Sequence, residues 1–195
     1  MVYIIIGTVL LLIIAPIVAV LPSARQKQQM AMRRQAMGLG VNVEITSITD
    51  PIPKQEKYLS STGKQLEPNL SVTAYRVARK MPQSWRKIPL VNWTIERRVA
   101  SEGDDLPGTW CWDPNKPNDM SKELTDFIVA EIVSMPDDVV RVDENNRIIS
   151  GNWHERGDVD GVQQIATFLD GCARRPEVKV DDDFEDGADG GDDLL

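Results

Sequence analysis

The sequence predicts an α+β chain: one N-terminal transmembrane helix, a small cytosolic domain of roughly five mostly antiparallel strands with two amphipathic helices, and a disordered acidic tail. Three observations predict it. Residues 2–21 carry no charged side chain, residues 41–175 mix strand-period and helix-period apolar patterns, and the composition turns abruptly acidic after residue 176. The chain therefore divides into an anchor at 1–22, a basic helix at 23–40, an α+β domain at 41–175 and a tail at 176–195.

The first segment reads VYIIIGTVLLLIIAPIVAVL. About 20 apolar residues at 1.5 Å rise span a hydrocarbon core of about 30 Å. Pro16 is of a kind that membrane helices tolerate, and only Met1 precedes the run, where a cleaved signal peptide would carry positive charge. Arg25, Lys27, Arg33 and Arg34 follow the run with no acid among them. Positive charge stays on the cytoplasmic side. The expectation is a single-pass membrane protein, its N-terminus outside and its domain cytosolic.

Residues 24–37 are good helix formers that Gly38 and Gly40 terminate. In VNVEITSI, Val41, Val43 and Ile45 alternate with polar neighbours, the period of a half-buried strand. Residues 49–69 hold Pro51, Pro53, Gly63 and Pro68 and read as a long loop. Residues 70–77 and 91–99 are two further strands. Ser121 is placed to cap a helix carrying Leu124, Phe127, Ile128 and Ile132 on one face, which Pro136 ends. Residues 139–142 and 147–153 flank an Asp-Glu-Asn-Asn turn and form a hairpin. A second amphipathic helix starts near Asp160 and aligns Val162, Ile165, Ala166 and Leu169. From Glu177 onward, acids with glycine and alanine spacers leave too little apolar surface to fold.

The charge is laid out in blocks. Residues 1–98 hold 14 Lys/Arg against 5 Asp/Glu, residues 99–175 hold 7 against 16, and residues 176–195 hold 1 against 9. In the basic block, Arg76, Arg79, Lys80, Arg86, Lys87, Arg97 and Arg98 face the single acid Glu96 in sequence. With Arg25, Lys27, Arg33 and Arg34 they form the candidate contact surface for anionic inner-leaflet lipid or an acidic protein partner. Nucleic acid is disfavoured, because no motif accompanies the charge and the chain carries −8 overall. The acidic tail, Asp181 to Asp193, is a candidate to cover this basic surface.

No catalytic, cofactor or metal constellation stands out. His154 is the one histidine, and Cys111 and Cys172 are the two cysteines, too scattered for a zinc site. A Cys111–His154 nucleophilic pair needs the fold to bring the two together. Asp158, Asp160 and Gly161 fit a helix cap better than a calcium loop. Five tryptophans, at 85, 93, 110, 112 and 153, suit either core or contact surface.

The apolar entry followed by Pro22 and Arg25-Gln26-Lys27 resembles the start of the YajC family, accessory subunits of the bacterial preprotein translocase, over about the first 35 residues. Gly38 to Ile48 departs from that family, lacking its Gly-Asp and Gly-Gly pattern. Residues 121–175, with Met135-Pro136-Asp137-Asp138-Val139 and Trp153-His154-Glu155-Arg156-Gly157, resemble proteobacterial membrane proteins of unassigned role that carry the same label. The resemblance implies an inner-membrane location and supplies no catalytic residues. The resulting expectation is a non-enzymatic accessory or adaptor protein that binds a partner in a membrane assembly. The alternatives are a tethered enzyme using Cys111 and His154, and a lipid-binding tether.

Overall fold

The computed structural model describes residues 2–20, 22–80, 88–98 and 105–178. Arg86, Lys87, Trp85 and the acidic tail Asp181 to Asp193 lie outside the described residues.

Among the described residues, four α-helices and six strands follow one another in the order α1 (Val2–Val20), α2 (Ala24–Gly38), β1 (Asn42–Thr49), β2 (Asn69–Ala78), β3 (Trp93–Arg97), β4 (Trp110–Trp112), α3 (Lys122–Glu131), β5 (Val139–Asn145), β6 (Ile148–Trp153) and α4 (Val159–Arg174). The strands make one sheet in the order β1-β2-β6-β5-β3-β4, and every pairing is antiparallel. The sequence reading anticipated five strands. The sixth, β4, is three residues of Trp-Cys-Trp, too short to show a period.

The expected transmembrane anchor is corrected. No helix among the described residues is long and apolar enough to cross a membrane. The described α1 is 19 residues, about 28 Å at about 1.5 Å per residue, and does not qualify as a span. The single-pass inner-membrane placement and its N-out orientation rested on that span and fall with it.

A second correction concerns residues 23–40. They do not prolong α1 as a solvated basic helix. Ser23 caps a new helix, its hydroxyl accepting from the Gln26 N–H while the Gln26 side chain accepts from the Ser23 N–H. Met32 and Ala36, four residues apart, are both fully buried, and α2 packs on α4 and β1. Met30 and Met37 on the same helix are 58% and 61% exposed.

The core lies between one face of the sheet and a layer of α2, α3 and α4. Tyr75, Ile95, Val142, Ile149 and Trp153 project from the strands to meet Leu124, Ile128, Val162, Ile165 and Leu169. Gly151 lets α4 approach β6, since a Cβ there would stand 3.2 Å from the Ile165 side chain. Gly171 is more constrained: its missing Cβ would fall 2.3 Å from the Phe127 ring, which stacks on Phe168 and carries the Arg175 guanidinium on its other contacts. The β5–β6 hairpin turns on Asn146 and Arg147 at φ 50° and 64°, the paired left-handed conformation of a tight two-residue turn. The folded domain runs past 175: Glu177 is buried and Val178 bridges to Met120.

One polar cluster crosses this apolar layer. Arg79 at the end of β2 and Glu144 on β5 are 6% and 1% exposed. Arg79 Nε donates to Glu144 Oε1 at 2.5 Å, and Trp93 Nε1 on β3 donates to Glu144 Oε2 at 2.7 Å. Arg79 Nη1 donates to the carbonyls of Cys172 and Arg175, closing the C-terminus of α4. Glu177 stands 3.6 Å from Arg79 and accepts from Arg147 Nε at 3.0 Å. Removing one member of such a buried pair leaves an uncompensated charge, at a cost of about 3–5 kcal/mol. The exposed Lys80–Asp170 pair is worth under about 1 kcal/mol. Urea unfolding of Arg79→Ala and Lys80→Ala should differ by that margin, and equal losses would show that the buried cluster is not a structural tie.

Candidate binding face

Antiparallel sheets place directly opposed residues on the same face. The register therefore builds two rows across the face turned away from the helices. One row runs Asn42, Arg76, Ser150, Asp143, Thr94. The next runs Glu44, Ala74, Asn152, Arg141, Glu96, Cys111. Nine of the eleven positions in these rows are polar, so this face is not a second apolar core, although Ala74, Ser150, Asn152, Glu96 and Cys111 are buried in it.

The face is concave. Arg141 on β5 donates through Nη2 to the carbonyl of Thr49 at the end of β1, at 3.2 Å. Those strands stand three inter-strand steps apart, about 14 Å on a flat sheet, so the sheet must curl for one side chain to close the distance. The curl encloses an open cavity of about 360 Å³ lined by Thr46, Arg76, Asn92, Asp143, Ser150 and Asn152 among others.

Ion pairs organise the lining. Glu44 pairs with Arg76. Glu96, 1% exposed, accepts from Arg141 on one side and Arg98 on the other, and Arg98 also reaches Asp113. Asp143 accepts from Asn152 Nδ2 at 2.8 Å. Burial pushes its carboxyl above the ordinary range, against the pull of the Arg141 charge and the Asn152 hydrogen bond. The result is a polar trough with donors, acceptors and one uneasy carboxylate, suited to holding a polar, hydrogen-bonding ligand segment.

The basic residues singled out in the sequence are not gathered on one surface. Arg33 reaches from α2 to Glu155, which also accepts from Tyr75 Oη at 3.2 Å. Arg76 and Arg98 line the open face, while Arg79 is buried and Lys80 pairs with Asp170 on α4. Arg97 lies over the Trp110 ring at 4.5 Å and faces Asp137 at 3.6 Å. Arg25, Lys27 and Arg34 are exposed on α2, with no acidic partner among the described residues. Acids from beyond residue 98 thus pair with Arg33, Arg79, Lys80, Arg97 and Arg98, a pairing that sequence order hides.

Cys111 and His154 do not meet. Cys111 sits on β4 beside Arg98, Glu96, Asp113 and Asp105, whereas His154 follows β6 beside Arg156, Asp138, Lys57 and Asp50. Two strands, β5 and β3, separate them. Burial pushes the Cys111 and Cys172 thiols up and the His154 imidazole down, opposite to an activated thiolate–imidazolium pair. Among the described residues no group of three His, Cys, Asp or Glu is placed to hold a metal ion. Asp158 caps α4, accepting from the N–H groups of Asp160 and Gly161. Trp93, Trp110, Trp112 and Trp153 are all buried and form no contact surface. The open face itself was missed because its rows join residues up to about a hundred positions apart. The alternating polar positions of β1, with Ser150 and Asn152 on β6, were the available signal.

Comparison of the chain with protein-family models, curated proteins and solved structures finds no match in any of the three.

Asp143 supplies a pH test. A carboxyl raised in the folded state favours its protonated form there, so its contribution is fully present below the unfolded value and is lost as pH rises through the folded one. Asp143→Asn, neutral throughout, should raise the thermal midpoint near neutral pH relative to the parent. The difference should vanish below the ordinary carboxyl value of 3.8. A variant less stable at neutral pH would show that the ionised carboxylate is held by its partners.

Proposed function

We propose that the protein is a non-enzymatic accessory or adaptor subunit that delivers helix α1 to a protein partner. The observation that carries this reading is the exposure of α1. Val2, Tyr3, Ile4, Ile5, Ile6, Leu10, Leu11, Leu12, Ile13 and Ile14 are each at least 50% exposed. Burying such a side chain is worth about 1.5–3 kcal/mol, so covering most of these would release more than about 10 kcal/mol. That rivals the whole stability of a domain, about 5–15 kcal/mol. Apolar surface on this scale marks an interaction site.

The remainder of the chain fits the role. Pro22 and the Ser23 cap end α1 and begin α2 afresh, which sets the apolar helix apart from the domain. Arg25, Lys27 and Arg34 stand exposed just beyond it. The partner surface that complements them is an apolar groove with an acidic rim. The domain's own ionic groups are largely paired internally, and its described cysteines and histidine are not arranged for catalysis.

The test is recovery of the intact protein from its native cells by an affinity tag after Leu195, beside the double variant Leu11→Glu, Ile13→Glu. Two lost apolar contacts should weaken retention of a stoichiometric protein partner by at least about a hundredfold, with the domain's circular dichroism unchanged. An intact protein that is recovered alone and remains monodisperse in buffer would overturn the reading.

A further inference from the structure

We propose that the outer edge of β1 pairs with the β1 of a second copy, joining two six-stranded sheets about a two-fold axis. The proposal rests on the two edges of the sheet being treated differently. An exposed edge strand presents unpaired N–H and C=O groups, and monomeric proteins blunt it by shortness, proline, charge or a covering segment. The β4 edge has all of these: three residues, Asp113-Pro114 immediately after, and a bridge from Asp105 to Cys111 covering its outer side.

The β1 edge has only one of these, the charge of Glu44. It runs eight residues, Asn42–Thr49, with no proline, no lysine and no bulge in its register. Its one partner strand is β2, and among the described residues no backbone hydrogen bond is made on its outer side. Ile45 is 65% exposed on the face that carries the helices, where its neighbour Val43 already packs against the core. Met37 and Leu39, at the turn from α2 into β1, are 61% and 43% exposed. A strand plus an apolar ledge is a docking edge.

The composition of β1 selects a second copy as the occupant. A two-fold axis perpendicular to the sheet keeps both helix layers on one side and centres the pairing on a single residue. Centring on Glu44 would oppose two carboxylates, and centring on Thr46 would set Glu44 against Ile48. Centring on Ile45 sets Ile45 against its own copy, Val43 against Ser47 and Glu44 against Thr46. That register buries the most exposed apolar residue of the strand at the axis. Glu44, the strand's only charge, meets no like charge and keeps its own Arg76. The inference is independent of what covers α1.

The experiment uses the intact chain carrying Ile45→Cys, with Gln163→Cys as an exposed control on α4; native Cys111 and Cys172 are buried and do not compete. Each is oxidised in parallel in the parent background and in the Leu11→Glu, Ile13→Glu background, so that association through α1 is separated from pairing through β1. Ile45→Cys should accumulate as a disulfide-linked dimer in both backgrounds while Gln163→Cys does not. Ile45→Lys should abolish dimer seen by sedimentation in the second background. A monomer at all concentrations there, or equal crosslinking at the two positions, would overturn the proposal. Preferential self-crosslinking of Ser47→Cys over Ile45→Cys would overturn the register.

Discussion

The Arg79–Glu144 pair is the contact on which the rest of the fold converges. It lies in the one layer where charge is most costly, and its position explains why. Arg79 ends β2, Glu144 lies on β5, Trp93 on β3 donates to the same carboxylate, and Arg79 also closes the last turn of α4. Four elements that sequence order scatters over nearly a hundred residues are thereby held in one register. An apolar cluster of the same volume would be as stable or more so. It would not distinguish one sliding of the strands from another, because every hydrophobic partner is roughly equivalent.

The same logic runs outward from that centre. Arg33 ties α2 to Glu155, Arg97 ties β3 to the loop before β5, and Arg98 and Arg141 share Glu96. Apart from Arg98, which lies two residues from Glu96, each of these cations meets an acid brought near only by folding, and Glu155 and Asp137 come from beyond residue 98. A sequence split into a basic front and an acidic back is thus a layout for a self-neutralising domain. What remains outward is a polar concave face, an open strand edge and an apolar helix, which together describe a molecule equipped to be contacted.

Much of the fold was legible in the sequence because local pattern and tertiary environment agree there. The strand at residues 41–48, the β5–β6 hairpin and the Ser121 and Asp158 caps lie where the local rules place them, although the hairpin turns on Asn146-Arg147 rather than on Asp143 to Asn146, and Ile45 is exposed. The misses share a different cause. Met32 and Ala36 bury α2 through two small contacts inside a run dominated by Arg and Gln, so the charge outweighed the period. Strand β4 is too short to show alternation, and its tryptophans read equally as surface or core. Residues 2–21 looked long enough to span a bilayer from composition alone, whereas no helix among the described residues is long and apolar enough to do so. The binding face could not be read at all without the register, since no single strand contains it.

A double-mutant cycle on Arg79→Met and Glu144→Leu tests the central claim most directly, because it isolates the pair from the packing around it. Each single replacement strands a buried charge, so each should destabilise strongly in urea unfolding. The double replacement should recover at least about 2 kcal/mol of the summed loss. Losses that simply add would contradict the account, placing the register of the sheet in its apolar contacts and leaving the buried pair an incidental neighbour.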